Sequence, residues 1–229
     1  MELTVLGKYG PYPKAGGGAA SGYIVKNGGD SLLLDMGSGT LSRLLSSVDL
    51  KNLGGIFISH LHYDHTSDLL PLRYALEETN TTLNIYTAFE ESEWYKILFS
   101  HRNFNVINVF DGADVSLGSM KLSFKDMKHT VPDLAIKIRG DKTLCYTGDS
   151  VYNDNIPWCF EGTNCVLGDF SKPEGFKGPH MNVKIAKELK ARYKDVRIIA
   201  THLSTDFDPT DAFKGTGIEV SEEFKTYNL

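Results

Sequence analysis

Residues 60–65 read His-Leu-His-Tyr-Asp-His, which places His60, His62, Asp64 and His65 within six positions. Only 7 histidines occur in 229 residues, so this density is not an accident of composition. Imidazole and carboxylate are ligands for zinc and related divalent ions. A tight turn lets neighbouring side chains diverge. His60 and His62 can therefore serve one ion while Asp64 and His65 serve another close by.

A centre of this kind needs further ligands, and these should stand just past other buried strands. Three residues qualify. His129 lies in Lys-His-Thr-Val-Pro-Asp, Asp149 in Tyr-Thr-Gly-Asp-Ser, and His202 in Ala-Thr-His-Leu-Ser. The strands that carry them are legible from apolar, β-branched runs. Residues 55–59 run straight into His60. Met120–Met127 precedes His129, residues 143–147 precede Asp149, and Arg197–Thr201 precedes His202.

The remaining elements alternate unevenly. Short strands are expected at 3–6, 22–26, 32–35, Leu83–Thr87, 106–110, 134–138 and 166–168. Helices are expected at 39–48, Leu69–Thr79, 90–100 and 182–194. The last places Ile185, Ala186, Leu189 and Tyr193 on one side. Two strand-rich halves, each followed by helices, imply an α/β fold of two sheets packed face to face with helices outside. No linker divides the chain, so one domain spanning 1–229 is expected.

Composition narrows the partners. With 24 Lys+Arg against 29 Asp+Glu the net charge is −5, which disfavours attraction of a polyanion through bulk charge. Residues 172–197 depart from this, with eight basic and three acidic side chains; Lys184, Lys187, Lys190 and Lys194 recur at helical spacing. That stripe reads first as a solvated helix face and second as an electrostatic guide for an anionic substrate. Three cysteines, Cys145, Cys159 and Cys165, make no disulfide framework and read as buried small apolar residues. No export signal or membrane span is visible, so a cytoplasmic protein without membrane contact is expected. His101, past the helix at 90–100, reads as a surface residue.

Taken together, these residues resemble the metallo-β-lactamase superfamily, and within it the ribonuclease Z-like branch of di-metal phosphodiesterases. The likeness runs through Gly7 and Gly10, Ser21-Gly22-Tyr23, Leu32-Leu33-Leu34-Asp35-Met36-Gly37, the 60–65 motif, His129, Thr147-Gly148-Asp149-Ser150, His180 and Thr201-His202-Leu203-Ser204. It implies a four-layer αββα sandwich with two divalent metal ions at one edge of the sheets, zinc foremost, with manganese and iron as alternatives. His60, His62 and His129 would bind the first ion. Asp64, His65 and His202 would bind the second, and Asp149 would bridge both. Asp35 would support the ligands from behind. Asp68 reads either as a similar support or as the N-cap of the helix at Leu69. Two such ions can hold a bridging hydroxide at neutral pH and polarise a phosphoryl oxygen. Asp64 and His180 are the residues expected to act in catalysis, His180 as donor to the leaving alkoxide. A helix N-terminus beside His180 would disfavour its charged form until a phosphate binds.

The resemblance makes the chain a metal-dependent hydrolase, with a small or cyclic phosphodiester or short RNA end as substrate. A homodimer is also implied. Two departures weigh against the branch's transfer-RNA 3′-end endonucleases. Only 19 residues separate His129 from Asp149, which leaves no RNA-gripping arm, and Thr205-Asp206-Phe207-Asp208 stands where an Arg often follows the Thr-His-x-Ser motif. Nucleic acid is thus the less favoured partner. A lactonase or thioesterase is the rival hydrolase. A di-iron oxidoreductase, or a metal-binding protein without turnover, is the alternative of another class.

Overall fold

The computed structural model describes residues 1–229. Its first sheet is built from β1 (Glu2–Gly7), β2 (Gly22–Asn27), β3 (Asp30–Leu34), β4 (Ile56–Ile58), β5 (Leu83–Thr87) and β6 (Phe104–Asn108). Its second is built from β7 (Asp114–Leu117), β8 (Met120–Met127), β9 (Asp133–Arg139), β10 (Thr143–Tyr146), β11 (Cys165–Asp169), β12 (Arg197–Thr201) and β13 (Ile218–Val220). The last strand, β14 (Thr226–Asn228), returns to the first sheet beside β1, giving two seven-stranded sheets. In both, antiparallel pairing comes first and parallel pairing follows, from β3 to β6 and from β10 to β13.

Helices cover the outer faces. α1 (Thr40–Ser47), α2 (Tyr63–Thr66), α3 (Leu69–Thr79) and α4 (Glu93–Phe99) connect strands of the first sheet; α5 (Ile156–Phe160), α6 (Val183–Arg192) and α7 (Thr210–Phe213) connect strands of the second. Three apolar cores follow from four layers. Leu34, Phe57, Phe124 and Ile136 belong to the one between the sheets, Leu44, Leu72 and Leu98 to the one under α1, α3 and α4, and Phe160, Ala186 and Phe213 to the one under α5, α6 and α7. The expected αββα sandwich is the fold observed.

The differences from expectation have local causes. β6 starts two residues early, because parallel register with β5 pairs Leu83 with Phe104, while Phe110 points out and is 68% exposed. Strands β7, β13 and β14 are only three or four residues long, and they gain identity from the neighbours they pair with. No helix is long and apolar enough to cross a membrane. All three cysteines are buried and free.

Asp68 departs from both roles expected of it. It occupies the N-cap position of α3, but its side chain makes no capping bond there. Its Oδ2 accepts instead from the backbone N–H of Leu41 at 2.8 Å, in the first turn of α1. That helix starts from Gly39 in a left-handed conformation and has no side-chain cap of its own. Asp68 therefore serves the orphan donors of a neighbouring helix rather than the site. Burial raises its pKa, against the hydrogen bonds from Leu41, Gly39 and Thr40. Asp68→Ala is expected to cost about 1 kcal/mol, as loss of a cap does. It should lower the urea midpoint at unchanged slope and leave metal content as it was.

Candidate metal centre

Ligands of open α/β sheets gather outside the carboxyl ends of strands, where side chains of adjacent strands converge. Asp35 follows β3, His60 follows β4, and His129 follows β8. Asp149 follows β10, Asp169 ends β11, and His202 follows β12. The facing sheets bring these ends together along one edge. Two of the residues sit in strained backbone, Asp35 at φ 54 and His202 at φ 57. Such strain persists where surrounding contacts over-determine it. Gly148, at φ +59, sets the turn before Asp149; a Cβ there would stand 2.4 Å from Asp133 Oδ1.

His60 Nε2 lies 3.0 Å from His62 Nδ1, and His129 Nε2 lies 3.1 Å from the same atom. The far nitrogens decide which atoms carry protons. His129 Nδ1 meets the Pro179 carbonyl at 3.0 Å, and a carbonyl only accepts, so Nδ1 carries the proton. Ser59 gives its one hydroxyl proton to Asp35 at 2.8 Å, so its oxygen accepts from His60 Nδ1 at 3.0 Å. Thr130 Oγ1 lies 3.2 Å from His62 Nε2 and is able to accept from it, the tautomer that leaves His62 Nδ1 unprotonated. With His62 in that tautomer, three lone pairs converge with no proton between them. That arrangement is repulsive alone and is the donor set a divalent ion requires. Burial favours it by holding all three imidazoles neutral. Their pKa values fall below the ordinary range, that of His60 well below it and that of His129 to about 4.

A second group adjoins it. Asp64 Oδ2 lies 3.0 Å from His202 Nε2 and 3.6 Å from His65 Nε2. Asp149 Oδ2 stands between the groups, 3.9 Å from His60 Nε2, 3.4 Å from His65 Nε2 and 3.0 Å from His202 Nε2. His65 Nδ1 donates to Asp35 Oδ2 at 2.7 Å, which aims Nε2 inward. That Nε2 and Asp149 Oδ1 are buried without a hydrogen-bond partner, a costly state that a cation relieves. Burial opposes ionisation of Asp64, but the His65 and His202 imidazoles outweigh it and hold the carboxyl at about 2. Burial likewise opposes charge on His65, and the Asp149, Asp35 and Asp64 carboxylates reverse this and raise its pKa well above the ordinary value. The donor sets fit two adjacent divalent ions.

Residues 15–202 match the metallo-beta-lactamase superfamily. The chain belongs to that superfamily. It is 31% identical over 217 residues to the probable metallo-hydrolase YhfI of Bacillus subtilis, covering 89% of this chain and 87% of YhfI. The crystal structure of YhfI superimposes with a TM-score of 0.90 at 27% identity, over 99% of this chain and 98% of that one. Ribonuclease Z of Archaeoglobus fulgidus is 28% identical over 148 residues, covering 60% of this chain and 47% of that enzyme. A diphosphatase of the PhnP family shares the fold, with a TM-score of 0.79 at 17% identity over 100% of this chain and 97% of that one. The chain is thus a metal-dependent hydrolase of this superfamily with ribonuclease Z enzymes among its relatives, and divalent ions are the cofactors of the superfamily.

In this metallo-β-lactamase fold the seven expected ligands and Asp35 come together, and Asp68 does not. His180 joins them from the loop before α6. Its Nδ1 donates to Asp169 Oδ2 at 2.7 Å and lies 3.7 Å from Asp149 Oδ2, while its ring stacks on His202 at 5.0 Å. The expected partner was the positive end of a helix, but that end is capped by Asn182, and a carboxylate meets the imidazole instead. His101 lies apart, 3.4 Å from Glu77. Sequence reasoning passed over Asp133, whose Oδ2 accepts from the Asp149 N–H at 2.9 Å, and Asp169. It also passed over Tyr146, which donates to Asp35 at 2.7 Å. The one available signal was positional: Asp169 ends a strand, as the other site residues follow theirs.

Proposed function

We propose that this hydrolase is a phosphodiesterase acting on a small or cyclic phosphodiester, with zinc as its first-choice metal. His60, His62 and His129 would hold one ion, Asp64, His65 and His202 the other, and Asp149 both. When bound, the ions supply a nucleophilic oxygen from water at neutral pH and Lewis acidity toward the substrate. The chain's own residues do the rest. Asp35, Ser59, Tyr146 and Pro179 fix the imidazole tautomers and orientations. Asp169 holds His180 by Nδ1, so Nε2 is the atom that can pass a proton to a leaving alkoxide.

The observation that carries the reading is this His180–Asp169 pair, 3.7 Å from the carboxylate shared by both groups. A proton donor at that place suits a substrate whose leaving group is a poor one, as an alkoxide from a phosphodiester is. A small diester is favoured over transfer RNA because β9 and β10 occupy most of the chain between His129 and Asp149, where a gripping arm would stand.

Metal analysis of the purified protein tests this, together with turnover of bis(p-nitrophenyl) phosphate, 2′,3′-cyclic nucleotides, precursor transfer RNA, a lactone and a thioester. About two divalent ions per chain are expected, with diester hydrolysis lost on chelation and restored by zinc or manganese. Bound metal with faster lactone or thioester turnover would overturn the phosphodiester assignment.

A further inference from the structure

Beside the metal centre lies a pocket of about 330 Å³. Two of its walls belong to the centre's immediate surroundings. Gly10 lines it, and a Cβ on Gly10 would stand 2.0 Å from His202 Nε2, so its backbone lies directly against that imidazole. Phe176 also lines it, with its ring centroid 6.3 Å from that of His180. A group held here is therefore next to the residues proposed to act on the scissile bond.

Between these walls sits Lys172, only 7% exposed. Its Nζ donates to Ser204 Oγ at 2.6 Å and lies 5.7 Å from the Phe176 ring centroid. An ammonium has three protons to donate, and this one makes a single side-chain bond to a neutral oxygen. Asp206 is the one carboxylate in the pocket wall, and Lys172 bonds Ser204 rather than Asp206. Its neighbour Asp208 is engaged elsewhere, accepting from both the N–H and the hydroxyl of Thr210. Burying a cation without a counter-charge is unfavourable unless something else completes it.

The position of Lys172 is well defined. Its carbonyl accepts from Val183 N at 2.9 Å, at the start of α6, and the preceding Ser171 donates its hydroxyl to the His202 carbonyl. The ammonium is thereby tied in register to both His180 and His202. Around it stand hydroxyls of Ser204, Thr205 and Tyr12, the last two 3.0 Å apart.

We propose that Lys172 binds a second anionic oxygen group of the substrate, a phosphate or a carboxylate, held in this pocket beside the scissile phosphodiester. The inference rests on the phosphodiesterase reading and narrows it. The substrate class becomes a compact diester carrying one further oxyanion, not a long polyanion. Of the basic residues in 172–197, Lys172 is the one that faces this pocket; Lys187, Lys190 and Lys194 line a separate groove with Thr216.

The test compares kcat/KM of the zinc-loaded enzyme for matched diesters: thymidine 3′-(p-nitrophenyl phosphate), its 5′-phosphorylated form, and a 5′-carboxylate analogue. The wild type is expected to favour at least one anionic form by about tenfold or more, mainly through KM, as a charge-assisted hydrogen bond allows. K172M, and K172Q as the variant that keeps a polar group near Ser204, should bring that ratio close to one. K172R should retain most of it. Because the readout is a ratio within each variant, partial loss of folded enzyme does not move it. Equal rates for all three diesters in the wild type, or an unchanged ratio in both K172M and K172Q, would overturn the proposal. Should no diester be turned over, the phosphodiesterase reading fails separately. Calorimetric titration with the same compounds then reads the pocket directly. Tighter binding of an anionic form in wild type but not K172M supports it, and equal binding refutes it.

Discussion

Asp149→Asn is expected to lower hydrolysis by at least about 10³-fold, the scale of losing a group that acts in the transition state, and to leave fewer than two divalent ions on the chain. One carboxylate oxygen lies within 3.0 to 3.9 Å of ring nitrogens of His60, His65, His180 and His202, so it is shared by every group of the site. Its pKa falls well below the ordinary range: burial opposes ionisation, and the His202 and His65 imidazoles outweigh it. An amide matches the shape and removes the charge. The first histidine group keeps its three lone pairs and should keep an ion. The second is left with Asp64 as its only anionic ligand, and it should lose occupancy first. Metal analysis beside activity checks this. Two ions per chain with near-normal turnover in the variant would contradict the shared role of Asp149.

How legible the site was in the sequence follows from how local each signal is. His60, His62, Asp64 and His65 declare themselves within one turn of chain, and His129, Asp149 and His202 each stand one or two residues past a readable strand. Asp133 carries no such mark, and Asp169 carries only the positional one of standing at the end of a strand. Asp133 matters because its side chain reaches the Asp149 N–H from an adjacent strand, and Asp169 because the chain after it brings His180 back to its carboxylate. Those meanings arise from strand order, which no single segment contains. The fold shows the same division. Apolar strands and amphipathic helices were readable, whereas β14 joins the first sheet by pairing with β1 across almost the whole chain, Leu3 opposite Tyr227. Asp68 shows how a correct position can mislead. It sits where a cap should sit, but the helix it caps is the neighbour.

The reach of these interactions gives His180 its most discriminating test. His180→Ala is expected to slow hydrolysis of a diester with an alkoxide leaving group by about 10²- to 10⁴-fold, the usual scale of general acid catalysis. For bis(p-nitrophenyl) phosphate, whose phenolate leaves without help, the loss should be small. Metal content should hold, because the His180 nitrogen nearest the shared carboxylate, Nδ1, already donates to Asp169, and none of the seven proposed ligands depends on it. Asp169→Asn should reproduce the same leaving-group dependence more weakly. It loosens the imidazole and weakens the Nδ1 bond while leaving Nε2 in place. Asp169 is itself unusual: burial raises its pKa, with the His180 imidazole pulling the other way. Equal losses for both kinds of leaving group in His180→Ala would point to binding rather than proton donation. A fall in metal content would place His180 among the ligands, beside Asp149, Asp169 and His202, with which its ring nitrogen already forms a compact group. The two readings separate on one variant, because a proton donor is sensitive to the leaving group and a ligand is not.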